Sequence, residues 1–195
     1  MKAYYDRRAP EYDDVYLGTG LYADRDRPGW HEDVARLEQV VASLPPARAL
    51  DVACGTGFLT RHLRGEIVGL DQSESMLEIA REHIMHATFV RGDALELPFD
   101  DASFERLFTS WFYCHLEEPE RVRFLAEARR VADQLVVVGS ILREGVEPTQ
   151  WQERLLSDGS RWTVYKRFFE PNALAAELGG GRVLYAGDWF VAVQA

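Results

Sequence analysis

Cysteine is scarce in this chain. Only Cys54 and Cys114 occur, and no CxxC spacing exists. That excludes a zinc ribbon or a disulfide framework and points to two reduced thiols in a cytoplasmic protein. Positive charge is scarce as well. Lys and Arg total 22 against 32 Asp and Glu, for a net charge of −10. Such a surface repels polyphosphate, and the basic clusters "RDR" at 25–27 and "ARR" at 128–130 are too short for a binding stripe. No nucleic-acid partner is therefore expected. No apolar run approaches membrane-spanning length, so no membrane partner is expected either. The opening "MKAYYDRRAPEYDD" lacks the apolar stretch of a secretion signal. Internal repeats and low-complexity tracts are missing too.

What is present suits one globular domain over residues 1–195, long enough to bury a sizeable core. Five Trp, eight Tyr and ten Phe are enough to build a core and still wall a pocket. Val34, Leu37, Val40, Val41 and Leu44 share a helical face, which predicts a helix from His31 to Leu44 closed by Pro45 and Pro46. Strands and helices then alternate. "ARALDVAC", "EIVGLD", "ATFVRGD", "FERLFTSWF" and "QLVVVGSIL" read as strands. "FLTRHL", "SESMLEIAREHI" and "PERVRFLAEARRVA" read as the helices between them, the second with Ser75 and Glu78 in capping-box spacing, the third with Pro119 in its first turn. This alternation predicts an α/β fold, a parallel sheet with helices on both faces. The tail differs. "EPTQWQERLLSDGSRWTVYKRFF" reads as irregular, "PNALAAELGG" as a helix, and "RVLYAGDWFVAVQA" as two antiparallel strands.

The turn after the first strand carries Gly55 and Gly57, which allow close backbone approach to a ligand. A dinucleotide fingerprint needs a third glycine where this chain has Thr60, so a pyrophosphate turn is disfavoured. Asp51, Asp71 and Asp93 fall at the ends of the first three strands. A carboxylate at the second strand end accepts from a ribose diol, and one at the third accepts from an exocyclic amine. Ligands of open parallel sheets bind beyond these strand ends. Three carboxylates there make a negative crevice suited to a cationic adenosine ligand.

The runs "LDVACGTGFLT", "VGLDQSESML" and "GDALELPFDDASFERLFTSWFYCHLEEPERVRFLAEARRV" resemble the successive motifs of class I S-adenosylmethionine-dependent methyltransferases, in the subgroup acting mostly on small molecules. The resemblance runs from residue 1 to about 142. It implies a Rossmann-like seven-stranded sheet of order 3-2-1-4-5-7-6 with the last strand antiparallel. It implies S-adenosylmethionine as cofactor and S-adenosylhomocysteine as product. Asp51, Ala53, Gly55 and Gly57 would surround the methionine part. Asp71 would hold the ribose hydroxyls, with Gln72 beside it and Met76 against adenine. Asp93 and Ala94 would fix the adenine edge, and Ser110 would lie under the sulfonium. "YYDRRAPEYDDVY", with Tyr12, is similar to segments that fold over the cofactor. One departure is visible: "RRVADQLVVVG" stands where the family usually has a Gly-Gly turn, which suggests a shortened connection.

Methyl transfer from a sulfonium is an in-line displacement that needs a base only when the acceptor must lose a proton. His115, in "SWFYCHLEEPE", is the base candidate. Tyr12 and Tyr113 are candidates to orient the substrate or sulfonium. His83 and His86 share a helix face but lack a third ligand, so no metal is expected. Cys114 shows no activating partner in sequence. "SWFY" has no proline, unlike the Asn/Asp-Pro-Pro-aromatic run of nucleic-acid amino-methyltransferases, so a small molecule is the expected acceptor. An adenosylmethionine-binding regulatory protein and, behind it, a nicotinamide oxidoreductase stand as alternatives. The domain is expected to divide into an N-terminal lid and helix (1–45), a cofactor-binding core (46–142), a substrate lid (143–170) and a C-terminal helix with antiparallel strands (171–195). Lys166 or Arg167 of the second lid would meet an acidic or carbonyl group. The acceptor, the methylated atom and the oligomeric state stay open at this point.

Overall fold

A computed structural model describes residues 2–195. Seven strands form one sheet: β1 (Ala47–Val52), β2 (Gly65–Asp71), β3 (Ala87–Arg91), β4 (Phe104–Ser110), β5 (Ala132–Ser140), β8 (Arg182–Ala186) and β9 (Phe190–Gln194). Their order is β3-β2-β1-β4-β5-β9-β8. The first five are mutually parallel, and β9 runs antiparallel to both β5 and β8. This is the expected order and sense. Strands β1, β4 and β5 lie in the middle and are covered on both faces, so they read as near-continuous apolar runs instead of alternating ones.

The helices are α1 (Lys2–Arg8), α2 (Asp14–Leu17), α3 (Trp30–Ala42), α4 (Glu74–His83), α5 (Glu118–Val131) and α6 (Pro171–Glu177). In α3 the apolar stripe of Trp30, Val34, Leu37 and Val41 is buried in the main core. Helix α5 opens with a capping box between Glu117 and Glu120 and passes directly into β5 at Ala132, with no connecting residue. The missing Gly-Gly turn thus leaves a connection of zero length.

Three local expectations are corrected. "FLTRHL" makes only a 3₁₀ turn over Thr60–His62, because the Thr60 hydroxyl is drawn back onto Asp51 at 2.6 Å and β2 begins at Gly65. The N-cap of α4 is Ser73, not Ser75. Its amide donates to Asp71 Oδ1 at 2.8 Å and its Oγ accepts from Met76 N, which fixes the helix start two residues early. The stretch read as irregular is a hairpin of β6 (Thr149–Leu155) and β7 (Arg161–Arg167), turning at Gly159 with φ +81°. Strand β6 has no buried residue, so no apolar alternation marked it as a strand.

The hairpin docks on the N-terminal helix. Tyr4, Leu156 and Val164 form a separate buried cluster with Tyr5 and Trp162 against it. Arg7 pairs with Asp158 at 3.1 Å, and Ser157 N donates to Glu11 at 2.8 Å. The N-terminal segment is in turn tied to the sheet: Ser73 Oγ donates to Asp6 at 2.6 Å, and Thr56 Oγ1 to Asp13 at 2.5 Å. Among the described residues no helix is long and apolar enough to cross a membrane.

Candidate active site

The chain leaves β1 in a run of left-handed residues: Ala53 at φ 57°, Gly55 at 57° and Gly57 at 81°. Ala53 holds this conformation without a glycine's freedom, a strained state that persists where the surroundings over-determine it. The two glycines have different neighbours. A Cβ on Gly55 would sit 3.4 Å from the Tyr12 ring, inside a cavity. A Cβ on Gly57 would run into Ile84 of the segment after α4. Gly57 therefore seats the turn against α4, whereas Gly55 leaves room for a ligand.

The three carboxylates also divide. Asp71 lies at the cavity and holds its shape: Oδ2 accepts from Gly55 N at 2.9 Å and Oδ1 from Ser73 N at 2.8 Å. Burial raises its pKa, and the backbone donors oppose that rise. Asp93 is exposed at the rim, with Oδ1 accepting from Leu95 N at 2.9 Å. Asp51 is fully buried behind the turn and is not on the cavity wall. Its Oδ2 accepts from Thr60, and its Oδ1 has no partner. Burial pushes its pKa up to about 7, against the Thr60 bond and helped by Asp71. Thr60 thus stands where a dinucleotide site has its third glycine, and serves the first carboxylate instead.

A cavity of about 310 Å³ opens over these strand ends. Ala53, Gly55, Asp71, Gln72 and Met76 line one side. Asp93, Ala94, Ser110, Tyr12 and His115 line the rest. A second cavity, of about 190 Å³, lies beside it. Tyr5, Tyr12, Trp111 and His115 line both.

His115 is well placed in this shared wall. Its Nδ1 is 2.6 Å from the carbonyl of Tyr165, an acceptor only, so Nδ1 carries the proton and Nε2 keeps its lone pair. Burial, reinforced by the charge of Lys166, holds its pKa well below the usual histidine value. Tyr12 accepts from the Tyr16 hydroxyl at 3.4 Å, and burial pushes its pKa up to about 12 despite nearby Arg8.

Other sequence candidates fall elsewhere. The Tyr113 hydroxyl is bound to Glu177 at 2.6 Å in the core and lines neither cavity. Arg167 forks onto the same Glu177 at 2.8 and 2.6 Å, away from the site. Lys166, one residue earlier on β7, faces the second cavity and donates to Cys114 Sγ at 3.2 Å. Cys114 therefore does have a polar partner, 52 residues away in the chain. No group of three metal-ligating side chains occurs among the described residues.

Sequence reasoning missed Arg8, Tyr5 and Trp111. A signal existed for Arg8. Tyr4, Arg8, Tyr12 and Tyr16 recur every fourth residue. In the structure the Arg8 guanidinium donates to Tyr4 at 2.9 Å and sits 4.8 Å from the Tyr12 ring centre. Trp111 turns the chain off β4 with φ 53°, a backbone state that residue type alone does not announce.

Residues 49–134 match a family described as "Methyltransferase domain". A demethylmenaquinone methyltransferase of Thermotoga maritima is 36% identical over 132 residues, covering 65% of this chain and 54% of that protein. A Staphylococcus haemolyticus protein of the same name is 46% identical over 68 residues, covering 30% of this chain and 28% of that protein. The chain thus spans about half the length, or less, of these curated relatives. A solved structure described as "DhpI-SAH complex structure" superposes with a TM-score of 0.70 at 25% identity, covering 98% of this chain and 92% of that one. Magnesium protoporphyrin IX methyltransferase from Synechocystis, with bound SAH, superposes with a TM-score of 0.64 at 15% identity, covering 99% and 96%. At that identity the likeness shows the fold alone.

Proposed function

We propose that the chain is a class I S-adenosylmethionine-dependent methyltransferase that methylates a small-molecule acceptor with S-adenosylmethionine as donor, a reading its methyltransferase-domain match and its methyltransferase relatives support. The residues at the first cavity fit that donor. Gly55 keeps a cradle open that a Cβ would fill. Asp71 presents a carboxylate with lone pairs left for ribose hydroxyls, flanked by Gln72. Met76 and Ala94 offer apolar surface to adenine, and Asp93 an acceptor for its amine. Ala53 and Ser110 line the part nearest the turn and β4, where the methionine portion would lie. Asp51 and Gly57 act from behind, one anchoring the turn through Thr60, the other packing it on α4.

Bound donor supplies an electrophilic methyl group on a positively charged sulfur. The protein's work is to hold an acceptor in line with it and keep water away. Tyr5, Tyr12, Trp111 and His115 stand where the two cavities meet, and that shared wall is the observation that carries the proposal. Where the acceptor must lose a proton, His115 takes it at Nε2, since Nδ1–H is held by Tyr165. The N-terminal segment and the hairpin are the lid that closes the second cavity over the acceptor. A cytoplasmic setting accords with two buried, unbridged thiols.

Calorimetry with S-adenosylmethionine, S-adenosylhomocysteine and NAD tests the donor. Binding of the first two without the third is expected. Turnover to S-adenosylhomocysteine with a metabolite panel tests the acceptor. Binding of NAD in preference to both sulfur compounds would overturn the reading.

A further inference from the structure

We infer that the acceptor is a small molecule bearing an oxyanion, a carboxylate or a phosphate-like group, held by cations in the second cavity. This rests on the methyltransferase reading and names the substrate class of that same site. Six cationic side chains line the cavity: Arg8, Arg25, Arg27, Arg143, Arg154 and Lys166. Not one Asp or Glu lines it, in a chain with 32 acidic residues against 22 basic ones. The surface is negative overall, so this lining is a local inversion of charge.

The cations are held in a way that leaves their charge unanswered. None of the six makes an ion pair among the described residues, whereas Arg7, Arg61, Arg81, Arg121, Arg130 and Arg167 elsewhere all do. Aromatic faces position four of them. Arg143 lies 3.7 Å from the Trp189 ring centre, Arg27 3.9 Å from Trp30, Arg25 4.4 Å from Tyr22 and Arg8 4.8 Å from Tyr12. Stacking fixes a guanidinium plane and spends few of its N–H donors. The remaining bonds go to groups other than carboxylates: Arg8 to Tyr4, Arg27 to the Val15 carbonyl, Arg154 to Gln152, Lys166 to Cys114. Arg8 and Lys166 are buried, Arg27, Arg143 and Arg154 half-buried and Arg25 exposed; burying positive charge without a counter-charge is costly, and the cost at the buried pair falls when an anion enters. Burial lowers the pKa of Lys166, Arg27 and Arg143, helped at Lys166 by Arg154 and Arg8 and at Arg27 by Arg25. A protonated amine is repelled by the same lining. Trp30, Trp111, Trp189 and Phe190 supply apolar walls for the rest of the molecule.

The test uses the full chain saturated with S-adenosylhomocysteine and four probes of matched shape: phenylphosphonate, phenylacetate, neutral phenylacetamide and cationic phenethylamine. Binding is read by calorimetry and by fluorescence of the lining tryptophans. Both anions should bind, at least about tenfold tighter than the amide, with no binding of the amine. The tighter of the two anions tells phosphate-like from carboxylate chemistry. Arg143→Met and Arg154→Met should each weaken the anions about tenfold and leave the S-adenosylhomocysteine dissociation constant within about twofold. Arg143 and Arg154 sit on the cavity rim outside the buried clusters, so these variants are expected to fold. Equal binding of amide and anions, failure of both anions to bind at millimolar concentration, or unchanged anion affinity in both variants would overturn the inference. Failure of S-adenosylhomocysteine to bind overturns the methyltransferase reading instead, and the anion titration is then read on the free protein.

Discussion

The two cavities share four side chains and are otherwise made of opposite materials. The larger is built at the ends of parallel strands, from small residues, backbone amides and carboxylates. The smaller is built from the N-terminal segment, a separate hairpin and the residues at the ends of β5 and β9, from cations on aromatic faces. In the first, shape comes from the sheet, so a single residue at a strand end has a large effect. In the second, shape comes from several short elements leaning together, so the loss of one contact is shared. The larger cavity suits a ligand whose form never varies.

If that contrast is right, the largest effect should come from the turn. Gly55→Val places a branched side chain at φ +57° and into the cavity beside Tyr12. We expect S-adenosylmethionine binding to fall by more than about a hundredfold by calorimetry, with the far-ultraviolet dichroism of a folded chain. Normal binding would mean the turn is only structural. Asp71→Ala comes next. It removes the acceptors of Gly55 N and Ser73 N and the carboxylate proposed for the ribose, and should weaken the donor by about 1.5–3 kcal/mol. Anion affinity in the second cavity should hardly move; an equal loss on both sides would erase the distinction between them.

Smaller effects should show in thermal unfolding against pH, with opposite signs. The folded pKa of Asp51 is raised from 3.8 to about 7, so its contribution is full below pH 3.8 and is lost as pH rises through 7. Asp51→Asn should therefore gain on the parent protein between pH 5 and pH 8. The folded pKa of His115 is depressed below 6.5, so its contribution is full above 6.5 and drains away as pH falls below that value. His115→Gln should gain on the parent between pH 7 and pH 5. Parallel trends in the two variants would refute the assignment. The smallest effect belongs to the hairpin tip. Arg7→Ala breaks an exposed pair with Asp158 and should cost no more than about 0.5 kcal/mol. Limited proteolysis within 1–29 and 144–170 should be slowed by S-adenosylhomocysteine in both proteins. Equal cutting with and without ligand would dismiss the lid.

The sheet and its order were legible because each parallel strand ends in a local mark. Asp51 precedes a glycine turn, Asp71 a helix cap, and Asp93 a short bend, and the sheet brings those ends into line. Residues such as Gly55, Met76, Ala94 and Ser110 reach one cavity for the same reason. The hairpin left no such mark. Its first strand buries no residue, and Trp151 and Leu155 stand exposed among polar side chains, so nothing announced a hairpin whose second strand sends Lys166 inward and Arg167 toward Glu177. Tyr113 and Cys114 were read without knowing what would pack against them, and their partners lie 64 and 52 residues away.

The direct passage from α5 into β5 carries an engineering consequence. Val131 ends the helix and Ala132 already faces Phe104 across the ladder, so the joint has no slack. One residue added there would turn Val136 and Val138 to the opposite face, against β4 on one side and β9 on the other. The hairpin turn at Gly159 has open space around it and no such constraint. Length variation in this chain is therefore directional: the α5–β5 joint is locked in phase, and new sequence is accommodated at the hairpin turn.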